Sequence, residues 1–169
     1  RVKGIYVLAE AIPDIVALMS AIRFVFIGKD LNWQTDLQRF FLEKGVIEHV
    51  MFLGGVEQET LLAWYRQADI AVVPSLNYES FSYTCAQAMA AGVSLVASRI
   101  GGIPETVEYG EAALLVSPGD ASVLSEAILA LAGNSELRRS LALRGIEIAE
   151  SKFAQDVVAQ QILKVYESV

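Results

Sequence analysis

A chain of 169 residues, 54% hydrophobic and only 20% charged, is long enough to bury a sizeable core and too apolar to remain disordered. Its formal charge of −7, with Lys and Arg thinly spread, excludes nucleic acid as a bulk partner, because phosphate-backbone binding needs a basic surface. No apolar run approaches a membrane-spanning helix and no signal-peptide pattern opens the chain, while the single cysteine, Cys85, fits a reducing, cytosolic compartment.

Lys3-Gly4 followed by Ile5, Leu8, Ala9 and Ile12 predicts a loop entering a helix. No strand feeds that helix, so the first strand, with a whole preceding domain, is expected upstream of Arg1, and residues 1–169 read as a single domain fragment. Residues 23–27 (RFVFI) predict a buried strand ending at Gly28, and residues 50–53 a second ending at Gly54-Gly55. Leu61, Leu62, Trp64, Tyr65 and Ala68 carry one-sided helical spacing. Strands follow at 70–73, stopped by Pro74, at 94–97, and at 113–116, stopped by Pro118. Asp120 is the expected N-cap of a helix buried through Val123, Leu124, Ala127, Ile128 and Leu131. Asn134 or Ser135 caps another helix, and residues 157–166 form a last amphipathic one. Strands short and apolar on both faces, alternating with helices, predict βαβ units in a layered α/β domain with a covered parallel sheet.

Ligands of open α/β sheets sit at the carboxyl ends of the strands. Those ends carry Gly28-Lys29-Asp30, Gly54-Gly55-Val56, the stretch from Pro74 to Phe81, and the stretch from Arg99 to Glu105. Glu79 lies just before a helix N-terminus, where it either caps the helix or accepts hydrogen bonds from a ligand's hydroxyls. In the second case the amides of Phe81, Ser82 and Tyr83 face that ligand's phosphate. Gln87 follows eight residues later, on the helix. Cys85 reads as packed core rather than nucleophile, and His49 flanks the second strand with no partner evident. No His, Cys or Asp spacing marks a metal site, and neither a Walker A loop nor a GxGxxG fingerprint is present.

These landmarks resemble, in order, the C-terminal, donor-binding half of a GT-B glycosyltransferase of the retaining class called family four, the glycosyl transferases group 1. The matching pieces are Lys3-Gly4, FxFxGxD at 24–30, VxFLG at 50–54 and ADIxVxPS at 68–75. ESFS…AQAMAAG at 79–92, GGIPE at 101–105 and Pro118-Gly119-Asp120 complete the series. The resemblance implies a Rossmann-like three-layer α/β/α domain that binds a nucleoside diphosphate sugar. It makes Glu79 the catalytic glutamate that meets the donor sugar's hydroxyls. Lys3 and the residues Phe81, Ser82, Tyr83 and Thr84 would hold the diphosphate, and Gly28, Gly54, Val56 and Gln87 the nucleotide. No cofactor or metal beyond the donor is implied. The acceptor, whether glycan, lipid or small molecule, belongs to the missing domain, as does any membrane contact. The implied location is cytoplasmic, with peripheral attachment at the inner membrane face reserved for the full-length protein.

Three departures from the family pattern stand out. Ser82 replaces a glycine and adds a side chain where the backbone should approach the donor. Gln87 replaces the second glutamate of the E-x7-E pair, exchanging two charge-assisted bonds to the ribose for one neutral acceptor and one donor. The family's arginine falls upstream, Arg1 being too near Lys3 to stand for it. Two rival readings follow: a non-catalytic binding or scaffold relative whose site has decayed, and a GT-B-fold nucleotide-sugar epimerase.

Overall fold

Short β-branched runs give the sheet strands and the amphipathic segments between them give its covering helices, as described by a computed structural model over residues 3–29 and 33–168. The strands are β1 (Phe24–Ile27), β2 (Val50–Gly54), β3 (Ile70–Val73), β4 (Ser94–Ser98) and β5 (Ala113–Val116). The helices are α1 (Ile5–Leu18), α2 (Trp33–Glu43), α3 (Gln58–Gln67), α4 (Tyr83–Ala90), α5 (Ile103–Thr106), α6 (Ala121–Ala132), α7 (Ser135–Ile148) and α8 (Gln155–Glu167). The strand boundaries lie within a residue of those expected from sequence.

All strand pairs are parallel, but among the described residues the five strands fall into two sheets rather than one. β1 pairs with β2 in register Phe24 to Val50, while β4 pairs with β3 on one side and β5 on the other. Side-chain alternation along the strands builds two apolar clusters on opposite faces. Phe24, Phe26, Val96 and Val116 pack with Ile12 and Ile15 of α1 and with Leu124, Ile128 and Leu131 of α6. Ala71, Val73, Leu95 and Ala97 pack the other way, against Cys85, Ala88 and Met89 of α4 and Ile148 of α7. Helices thus cover both faces, giving the three-layer α/β/α arrangement.

Asp120 caps α6 by accepting from the Val123 amide at 3.0 Å, and of the two candidates for α7 it is Asn134 that caps, accepting from Leu137 at 2.9 Å. His49 does have partners: its Nδ1 lies 3.1 Å from Arg23 Nη1 and 3.2 Å from the Ile22 carbonyl, pinning the start of β2 to that of β1. A π-type turn, Ala149–Phe153, separates α7 from α8. No residue of α8 is buried, and Ile162, Leu163, Val165 and Tyr166 stand exposed along it.

Candidate functional site

Glu79 sits on the loop that leaves β3, where it forms a compact ionic cluster. Its Oε1 accepts from Lys3 Nζ at 2.8 Å and from the Ser75 hydroxyl at 2.7 Å. The carboxylate side chain is 16% exposed and the lysine 66%, so the anion is sheltered while its cation faces outward. Burial pushes the Glu79 carboxyl up, but hydrogen bonds from Lys3 and Ser75 and the Lys3 charge outweigh it, and the group ends below its usual value. Glu79 is therefore a fixed anion at neutral pH.

Two backbone contacts place this cluster. Gly4 has φ +70°, and a Cβ there would fall 1.6 Å from the Pro74 carbonyl oxygen, so only glycine lets Lys3 reach the end of β3. Gly102 lies against the later part of the loop: its amide donates to the Glu79 carbonyl at 2.6 Å, and a Cβ would meet the Ser80 carbonyl oxygen at 2.2 Å. The Lys-Gly and Gly-Gly-Ile-Pro segments thus clamp the Glu79 loop, one at Pro74 and the other at Glu79 and Ser80. Sequence reasoning placed both motifs in order without seeing this role. It likewise missed Ser75 as a partner of Glu79, for which the only signal was a serine directly after the strand-ending proline.

Ser82 does not obstruct the approach to the loop. Its side chain is buried and turned inward, with Oγ accepting from the Cys85 amide at 3.4 Å as the N-cap of α4. Its backbone, at φ −100° and ψ 94°, is ordinary extended chain that needs no glycine. Tyr83 and Thr84 open the helix in exposed positions, and Phe81 packs edge-on against Tyr83 and Phe153, each at 5.1 Å between ring centroids. Cys85 is fully buried and its thiol is pushed up to about 11, chiefly by burial, so it is core rather than nucleophile. Gln87 is half-buried on the second turn, and its side chain has no hydrogen-bond partner among the described residues.

Gly28, Gly54 and Val56 gather at the ends of β1 and β2, joined by a bond from the Gly28 amide to the Gly54 carbonyl at 2.8 Å. No hydrogen bond or ion pair among the described residues links them to the Glu79 cluster. Between the two groups runs a slot of about 870 Å³, lined by β1 and β3 and reaching Lys3, Ser75, Glu79 and Thr84 at one end. Asp30, the last residue of the FxFxGxD motif, and Arg1 lie outside the described residues. No group of three or more His, Cys, Asp or Glu side chains among the described residues is arranged to hold a metal ion. No helix among them is long and apolar enough to cross a membrane.

Comparison with known proteins finds relatives in sequence and in fold. A family model described as "Glycosyl transferases group 1" covers residues 1–134. A phosphatidyl-myo-inositol mannosyltransferase of Mycobacterium leprae is 34% identical over 167 residues, 99% of this chain and 43% of that protein. Among solved structures, a sucrose-phosphate synthase from Thermosynechococcus elongatus superposes with TM-score 0.85 at 29% identity, over 99% of this chain and 42% of the other. HepE from Anabaena, solved in complex with UDP and glucose, gives TM-score 0.85 at 25% identity over 99% and 45%. The chain thus spans less than half the length of each of these proteins.

Proposed function

The chain belongs to the glycosyl transferases group 1 family, and on that premise we propose that it is the donor-binding half of a retaining glycosyltransferase. The observation that carries this reading is the sheltered Glu79 anion, paired with Lys3 and Ser75 beside the N-terminus of α4. A hexose donor is the natural ligand class, since a fixed carboxylate accepts hydrogen bonds from sugar hydroxyls and a lysine with a helix N-terminus suits a diphosphate.

In the proposed reaction Lys3 leaves Glu79 for the incoming diphosphate, freeing Glu79 to accept from the donor sugar's hydroxyls. The amides from Phe81 to Thr84 complete the phosphate cradle, the chain around Gly28, Gly54 and Val56 holds the base, and Gln87 bonds the ribose. The acceptor hydroxyl attacks the anomeric carbon from the face that the diphosphate leaves. The sugar–phosphate bond breaks with its electron pair going to the diphosphate oxygen, and the hydroxyl proton passes to that same leaving group. No covalent sugar–enzyme bond forms. Lys3 and the helix amides stabilise the charge that develops on the leaving oxygen.

The acceptor, in the proposed whole protein, is a glycan, lipid or small molecule held by a domain beyond these residues, so this chain alone binds donor weakly and transfers nothing. The HepE complex with UDP and glucose supports a nucleotide-sugar ligand. The inward-turned Ser82 removes one of the two motives for a decayed site, leaving only Gln87. Titration calorimetry against UDP-, GDP- and ADP-sugars tests the reading. Heat from one donor, abolished by Glu79→Ala, supports it; no heat from any member, with a cooperatively melting sample, refutes it.

A further inference from the structure

A serine hydroxyl has one proton to donate, so where that proton goes identifies what the residue serves. Ser75 Oγ has two acceptors within reach, Glu79 Oε1 at 2.7 Å and the Asn77 carbonyl at 3.4 Å. The shorter contact takes the proton, while the Asn77 amide approaches the same oxygen as a donor at 3.5 Å. Ser75 is fully buried, directly after Pro74, whose carbonyl oxygen is packed against Gly4. Lys3, the other partner of Oε1, is exposed and carries its ammonium at the tip of a flexible stem. Lys3 can leave Glu79 by turning that stem; Ser75 has no open space into which to turn. Both contacts fall on Oε1. Oε2 has no hydrogen-bond partner among the described residues, and no buried side-chain oxygen among them is left without one, so Oε2 opens to solvent.

We propose that Ser75 is a positioning residue for the donor reaction: it holds Glu79 through Oε1, with Oε2 open to a sugar hydroxyl, after Lys3 has moved to the diphosphate. This role rests on the donor-binding reading, in which Lys3 changes partners. Burial pushes the Glu79 carboxyl up, and the arriving diphosphate, a like charge, pushes it the same way. Lys3 and Ser75 are the two groups that lower it in the free chain, and with Lys3 gone only Ser75 opposes the rise. A protonated Glu79 presents an O–H where the ligand's hydroxyls need an acceptor, so the sheltered Ser75 bond keeps the site in its accepting form. Cys85 of α4 is also coupled to Glu79, but its thiol, pushed up to about 11, stays neutral through the acid and neutral range. On the α5 side Gly102 brings a backbone amide, and Glu105 is exposed to solvent.

The test is donor titration of the 169-residue chain from about pH 4 to about pH 8, paired with carboxyl-carbon NMR of Glu79 in the donor-free chain. With the nucleotide sugar that gives heat in the native chain, Ser75→Ala should bind about tenfold more weakly at neutral pH. Its loss of affinity on acidification should also begin at a higher pH than in the native chain. Ser75→Cys keeps the bulk of the side chain but donates weakly, so it should follow alanine, and it serves where the alanine chain does not fold. Native affinity with an unmoved acid limb in either variant overturns the proposal. Without donor, Lys3→Met removes the mobile partner, and adding Ser75→Ala to it should raise the Glu79 midpoint further. Equal midpoints in Lys3→Met and the double variant overturn the proposal whether or not any donor binds. Absence of heat from every donor fails the donor-binding reading and this role with it, and the donor-free midpoints distinguish that result from a failure of Ser75 alone.

Discussion

Gly102→Ala is the sharpest test of how the Glu79 loop is held. Its backbone, at φ −82° and ψ 1°, accepts alanine without strain, so whatever the substitution does is steric. The new methyl would sit 2.2 Å from the Ser80 carbonyl oxygen and 2.8 Å from its carbon, both backbone atoms that no rotamer change can move. Ordinary contact begins at 3.4 Å, so the loop must retreat by more than an ångström, and the 2.6 Å bond from the Gly102 amide to Glu79 breaks with it. Overpacking of this kind costs about 1–3 kcal/mol and the lost bond about 1 kcal/mol. For a domain of this size that lowers the melting temperature by roughly 4–16 °C. The carboxylate moves as far as the loop does, and a displacement of about 1 Å costs on the order of a hundredfold in a positioned site. Differential scanning fluorimetry and donor titration read the two effects, with Gly133→Ala as control, where a Cβ meets its nearest neighbour at an ordinary 3.4 Å. Native melting and native donor affinity in Gly102→Ala would refute the clamp.

Gln87→Glu should tighten donor binding about tenfold, because charge-assisted bonds to the ribose replace neutral ones; unchanged or weaker binding by calorimetry contradicts the ribose assignment. Glu79 titrates below its usual value in the folded chain, so its ion pair stabilises fully above about pH 4.5 and is lost as pH falls through the lowered folded value. The stability gap between native chain and Glu79→Gln in urea melts should therefore narrow in acid, and a gap that is constant with pH would count against it. Cys85, buried and held at about 11, should resist iodoacetamide at pH 8 in the native chain and react at the free-thiol rate in urea. Equal rates in the two states would show that α4 does not shield it.

The strands were legible because each is a short, doubly covered apolar run closed by glycine or proline, and periodicity alone fixes such boundaries. Asp120 was readable as a cap for the same local reason. α2 was not singled out: only Leu37 and Phe41 are buried on it, two positions in eleven residues, too thin a stripe to stand above its polar neighbours. The division into two sheets was hidden because strand order depends on contacts across the whole chain. Glu79 and Lys3 could be named from their motifs, yet their direct ion pair joins residues 76 apart in sequence. Ser82 misled because its substitution of glycine looked like added bulk, whereas the direction of the hydroxyl is decided by the cap it makes to Cys85.

α8 bears on calorimetry. Folding changes heat capacity in proportion to apolar surface removed from water, about 12–15 cal/mol/K for an average residue. Thirteen residues with none buried withdraw little such surface, so α8 is nearly silent in that signal. Ending the chain at Ala154 should leave the curvature of its stability against temperature almost unchanged while far-ultraviolet helicity drops. The two observables would part company over one helix, and the heat-capacity increment measured for this chain belongs to residues 3–154.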